Sequence, residues 1–162
     1  MDKGKILVGE SGGNYLIKMT GDVRVTLCTS LNQYINSIFK RNDVKSVLID
    51  LRDTDGLDST SLGLLAKLAL YSERKYGIVP ILFCTNESIL KTLEIMALDE
   101  LFEVICSDTA DEAVLRELPC EPDEDRARED VLEAHRLLVE INPECEAEFI
   151  DLIRYLEDEV GV

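Results

Sequence analysis

Between residues 50 and 58 the chain carries four carboxylates, Asp50, Asp53, Asp55 and Asp58, and three hydroxyls follow directly in Ser59, Thr60 and Ser61. Carboxylates at that density could hold magnesium, a hard cation that takes oxygen ligands. An aspartate followed by small hydroxyl residues is also what a helix start demands, because its side chain accepts from the otherwise unpaired first N–H groups. On residue type alone the second reading is the stronger: a polar loop in which Asp58 caps a helix and Ser59, Thr60 and Ser61 form its first turn. Other chemistry has little material. His135 is the only histidine, and it stands among acids, so a general base or zinc ligand has one candidate and no cluster. A partly exposed helix position is expected for it.

Cys28, Cys84, Cys106, Cys120 and Cys145 are scattered, with no CxxC pair. Reduced thiols in a cytoplasm fit that pattern better than disulfides or a zinc site. Cys84 and Cys106 lie in apolar runs and are expected to be small buried hydrophobes. Neither a Walker-type phosphate loop nor a GxGxxG fingerprint occurs, so no nucleotide cradle follows. No cofactor, no metal and no enzymatic activity are expected.

The elements that must position the 50–61 segment follow from periodicity. Residues 5–10 and 15–20 read as two strands joined by Ser11-Gly12-Gly13-Asn14, a hairpin turn, and Gly21-Asp22 breaks the second. Leu31, Tyr34, Ile35, Ile38 and Phe39 fall at helical spacing over residues 30–40, with Thr29 or Ser30 as cap. Residues 45–51 form a continuous apolar strand of the kind buried on both faces. Residues 52–57 read as a polar loop, and a helix spans residues 59–76 with Gly77 beyond its end. A strand over 78–84, a helix over 87–96, a strand over 102–106 and a helix over 108–118 complete the series. The order predicts an α/β fold: a hairpin leading into a mixed, mostly parallel sheet with crossover helices.

Pro119-Cys120-Glu121-Pro122 reads as a linker, dividing a domain at 1–118 from an extension at 119–162. Ala127, Val131, Ala134, Leu138 and Ile141 share one helical face. Asn142-Pro143 starts a second helix, whose stripe is Phe149, Leu152, Ile153, Leu156 and Val160. The extension is thus a two-helix hairpin.

Charge supports the division. The whole 162-residue chain has a formal net charge of −16. Residues 119–162 hold 15 acids and 4 arginines, a net −11. Such a surface repels phosphate backbones and anionic lipid, which argues against nucleic acid and membrane as partners. The start of the chain shows only three consecutive apolar residues, at 6–8, so no secretory signal is expected.

Val47-Leu48-Ile49-Asp50-Leu51, then six residues, then Asp58-Ser59-Thr60-Ser61-Leu62-Gly63, resembles the signature of STAS domains of the bacterial anti-sigma factor antagonist type. The resemblance runs from about residue 5 to 118 and takes in Leu93-Glu94-Ile95-Met96-Ala97-Leu98-Asp99. It implies a phosphorylation-controlled protein-binding switch. In that family the serine after the aspartate is phosphorylated by a serine kinase and restored by a PP2C-type phosphatase, a role the resemblance assigns to Ser59. The implied partner is an anti-sigma factor or related regulator, met by Asp58, Ser59, Thr60, Ser61 and Arg24. Two positions depart from the family pattern: Ser61 stands where glycine is usual, and Arg24 where an acid is frequent. The acidic hairpin has no counterpart in the minimal domain. Two other readings compete, a phospho-aspartate receiver built on Asp50 and a STAS subunit of a transport complex.

Overall fold

The computed structural model describes residues 3–107 and 115–161. Strands β1 (Lys5–Ser11) and β2 (Asn14–Val23) form the expected hairpin, with Ser11 opposite Asn14. Gly12 and Gly13 occupy the loop at φ 59° and 87°, the left-handed pair that a two-residue hairpin turn requires.

Helix α1 (Cys28–Phe39) follows a short 3-10 turn at Val25–Leu27. It therefore begins earlier than its apolar spacing indicated, and neither Thr29 nor Ser30 caps it. The Ser30 hydroxyl donates instead to the carbonyl of Pro119. Strand β3 (Ser46–Leu57), helix α2 (Ser59–Tyr76), strand β4 (Ile81–Phe83), helix α3 (Glu87–Ile95) and strand β5 (Glu103–Ile105) come next. The sheet closes with β6 (Arg116–Glu117), giving the order β5-β4-β3-β2-β1-β6. β2 through β5 are mutually parallel, while β1 runs antiparallel to both β2 and β6.

Three expectations about the sheet change. Gly21-Asp22 does not end β2; the strand passes through it with register shifts and continues to Val23. Residues 52–57 are not a loop but the second half of β3, where Thr54 is buried and Asp53 and Asp55 are exposed. The alternating polarity of a strand is what made them look like a loop. The burial of β3 is also uneven, since Val47, Ile49 and Leu51 are sealed while Leu48 and Arg52 are half-buried. The helix expected at 108–118 lies largely outside the described residues. Its end is not helical, because Arg116 and Glu117 pair with β1 and the Leu118 N–H donates to Ile6 O at 2.6 Å.

Helices α4 (Glu124–Ile141) and α5 (Glu146–Val160) form the hairpin. Asp123 caps α4 and Asn142 caps the 3-10 turn at Pro143–Cys145. The hairpin is not a separate appendage. α4 lies along α2 and touches α1, and Leu132, Ala134 and Leu138 join the same apolar core as Leu31, Leu65 and Ile49. α5 packs on α4 through Phe149, Ile153 and Leu156, leaving Leu152 of the expected stripe 38% exposed.

Candidate functional site

Parallel pairing brings the ends of β2 and β3 together, with Val23 opposite Leu57. The residues that follow, Arg24 and Asp58, are therefore neighbours at the carboxyl edge of the sheet, where α/β folds place their functional loops. Arg24 Nε donates to Asp22 Oδ2 at 2.7 Å, and this bond, with the nearby Asp58 charge, raises the guanidinium pKa. The other oxygen of Asp22, Oδ1, is buried with no hydrogen-bond partner among the described residues.

Asp58 is the N-cap of α2, in extended backbone at φ −85° and ψ 172°. Its Oδ1 accepts from the Ser61 N–H at 2.9 Å and from the Ser61 hydroxyl at 2.8 Å. The three hydroxyls consequently have different fates. Ser61 is fully buried, and its oxygen also lies 3.6 Å from Cys28 Sγ. Burial pushes that thiol up to about 12, out of reach of thiolate chemistry at neutral pH. Thr60 is 5% exposed. Ser59, the first residue of α2, is half-buried and takes no part in capping. The structure thus gathers Arg24, Asp58 and Ser59 at one edge and places Thr60 and Ser61 beneath them.

Ser59 Oγ lies 2.8 Å from His135 Nε2. The other ring nitrogen, Nδ1, is 2.6 Å from the carbonyl of Val131, which can only accept. Nδ1 therefore carries a proton, and in the neutral ring Nε2 is an acceptor to which the Ser59 hydroxyl donates. Phe149 of α5 meets the ring edge-on at 4.9 Å. His135 is 1% exposed, contrary to the partly exposed position expected for it. Its place four residues after Val131 and three before Leu138 puts it on the apolar stripe of α4, a signal that composition alone had hidden.

A second polar cluster lies further along the α4 seam. Lys67, 3% exposed, donates from Nζ to Asn32 Oδ1 and Glu133 Oε1, each at 2.8 Å. Asn32 Nδ2 donates to Asp130 Oδ1 at 2.7 Å. Burial, the largest influence, raises the Asp130 carboxyl above its ordinary pKa.

The four carboxylates of the 50–58 segment do not converge. Asp50 holds Arg52 in a bidentate pair, Nε to Oδ1 at 2.9 Å and Nη2 to Oδ2 at 2.8 Å, with the Arg52 N–H as a third donor. Burial works to raise the Asp50 pKa, but the Arg52 bonds and charge carry it below the ordinary value. Asp53 pairs with Lys18 at 3.0 Å, Asp55 is exposed and Asp58 caps α2. Cys106 is exposed rather than buried, whereas Cys84 is buried as expected.

A family model described as the STAS domain matches residues 5–113. No curated protein matches the chain. Among solved structures, an anti-sigma factor antagonist from Mycobacterium paratuberculosis superposes with a TM-score of 0.55 at 18% identity, covering 65% of this chain and 88% of that one. Identity at that level speaks to the fold. The family match ends before α4, so His135, Glu133 and Asp130 lie outside it.

Proposed function

The chain belongs to the STAS domain family, and on that premise we propose that it is an anti-sigma factor antagonist, a protein-binding switch set by phosphorylation of Ser59. The observation that carries this reading is the position of Ser59. It opens α2, yet its hydroxyl is left out of the capping that Asp58 and Ser61 complete between them. A hydroxyl there can be modified without undoing the helix start. Phosphate brings about −1.5 to −2 charges, and unpaired N–H groups and the helix dipole favour an anion at that end. Arg24, half exposed beside Asp58, adds a cation at the same edge.

Unphosphorylated, the edge around Asp58, Ser59 and Arg24 binds an anti-sigma factor in the cytoplasm and thereby releases a sigma factor. A serine kinase adds the phosphate and a PP2C-type phosphatase removes it. Because the molecule is already strongly negative, total charge is a poor signal, and a local charge at the interface is an effective one. A desolvated charge without an opposing cation costs a few kcal/mol, and each ~1.4 kcal/mol is tenfold in affinity. The protein itself catalyses nothing in this scheme. The bidentate commitment of Asp50 to Arg52 gives no support to a phospho-aspartate receiver.

Affinity capture from the source cells with full-length Ser59→Ala and Ser59→Asp tests the reading. An anti-sigma factor retained by the alanine variant and lost by the aspartate variant is the expected result. Equal retention by both contradicts it.

A further inference from the structure

Resting on that reading of Ser59, we propose that α4 is a built-in cover over the phosphorylation site, so that docking of the C-terminal hairpin and phosphorylation of Ser59 exclude one another. The argument begins with space. Ser59 Oγ and His135 Nε2 stand 2.8 Å apart, which is hydrogen-bond contact and leaves no room for a phosphorus atom with three further oxygens. Phosphoryl transfer forms an Oγ–P bond, breaks the bond from the γ-phosphorus of ATP to its bridging oxygen and releases ADP; the hydroxyl proton passes to a base on the kinase. The hydroxyl must therefore be presented to a donor held by another protein. With the hairpin docked it is presented to an imidazole that is itself sealed at 1% exposure.

His135 has no slack with which to step aside. Nδ1 is tied to the Val131 carbonyl, and Phe149 packs T-shaped against the ring. Ser59 is half-buried and open on one side, so room for a phosphate on the His135 side comes only from moving α4, and α5 with it. The seam that holds α4 is suited to opening. Alongside the apolar Leu132 and Leu138 and the close contact of Gly63 with Ala134, it holds a polar cluster of Lys67, Asn32, Asp130 and Glu133 beside a cleft of about 300 Å³. Polar groups of that kind regain water when the helices part, so the open state is less costly than it is for a wholly apolar seam. A kinase that acts only on the open form sees its substrate reduced by the open fraction. Once attached, the phosphate cannot return beneath α4, and the hairpin stays open.

The test uses full-length protein and two readouts. Ser59→Cys is labelled with N-ethylmaleimide alone and in combination with Ala134→Arg, which forces a long side chain against Gly63, and labelling at position 59 is followed by peptide mass spectrometry. At least tenfold faster labelling in the double variant is expected, while amide exchange in β1–β3 stays slow and so reports an intact sheet. Glu133→Gln, a milder opening that keeps the shape of α4, should accelerate labelling in the same direction. Equal rates in parent and both opened variants overturn the cover. In parallel, Ala134→Arg with Ser59 intact should be phosphorylated by the cognate kinase at least tenfold faster than the parent, and a measurable rate equal in the two also overturns it. If labelling responds but no form ever carries phosphate at Ser59, the cover stands as a structural fact, and the assignment of Ser59 as a phosphorylation site falls.

Discussion

Gly63 of α2 and Ala134 of α4 meet so closely that a Cβ on Gly63 would stand 2.5 Å from both the Cβ and the carbonyl oxygen of Ala134. Ordinary carbon contacts lie near 3.5–4.0 Å. The two helices therefore approach along a line that only glycine permits, and that approach brings His135, one residue on, over Ser59.

Gly63→Ala sets two effects against each other. Alanine gains about 1 kcal/mol in intrinsic helix stability over glycine. Overpacking a tight contact costs about 1–3 kcal/mol, and here the obstacle is backbone as well as side chain. The clash should win. Chemical denaturation is expected to show a net loss of about 1–2 kcal/mol, with amide exchange accelerating first in α4 and α5. A stabilised variant with a well-protected α4 would contradict the contact.

The Lys67–Glu133 pair predicts an asymmetry. Glu133 keeps 39% of its side chain exposed, whereas Lys67 keeps 4%. Glu133→Ala strands a buried ammonium with Asn32 as its remaining hydrogen-bond acceptor, and removing one partner of a buried pair costs up to about 3–5 kcal/mol, less here because Glu133 is partly solvated. Lys67→Met strands a carboxylate that water already reaches, and the methionine fills the space. Urea denaturation should rank Glu133→Ala as clearly the less stable of the two, and the reverse order would contradict the assignment of burial.

Asp130 gives a pH dependence of defined sign. Burial raises its carboxyl, Glu133 adds to the rise, and Asn32, Lys67 and Thr29 oppose it. A carboxyl whose folded pKa lies above the unfolded value of about 3.9 disfavours the fold when ionised, so its contribution improves as pH falls through the folded value. Asp130→Asn keeps an oxygen for Asn32 and drops the charge. It should be more stable than the parent at pH 7, with the gap closing as the pH approaches about 4. Urea midpoints at the two pH values measure it, and a gap that widens toward acid would show the opposite shift.

Asp58 is predicted to matter for folding as well as for the site. Asp58→Ala removes an N-cap, a loss of about 1 kcal/mol, and also leaves the buried Ser61 hydroxyl without its carboxylate acceptor. Asp58→Asn, which still offers an oxygen, should recover most of that stability in thermal melts. Indistinguishable alanine and asparagine variants would mean that the cap is dispensable.

Much of this molecule was legible because it is local. The Gly12-Gly13 turn, the run from Val47 to Leu51, the Asp58 cap and the Gly77 stop each announce themselves within a few residues, and together they set the order of the elements. What was illegible depends on distant partners. The second half of β3 looked like a loop because Asp53 and Asp55 face solvent, and only pairing with β2 holds them extended. β6 consists of two residues that are a strand only because β1 is there. His135 was misjudged because a polar residue is expected at the surface until its partner is known, and its partner, Ser59, lies 76 residues away.

The central claim is that a phosphate on Ser59 controls a protein interface. Its most direct measurement is calorimetric titration of the captured anti-sigma factor with full-length protein, unmodified and stoichiometrically phosphorylated at Ser59. The account predicts tight binding by the unmodified protein and a loss of at least tenfold on phosphorylation, with the sheet intact by circular dichroism. Equal affinity of the two forms would contradict it.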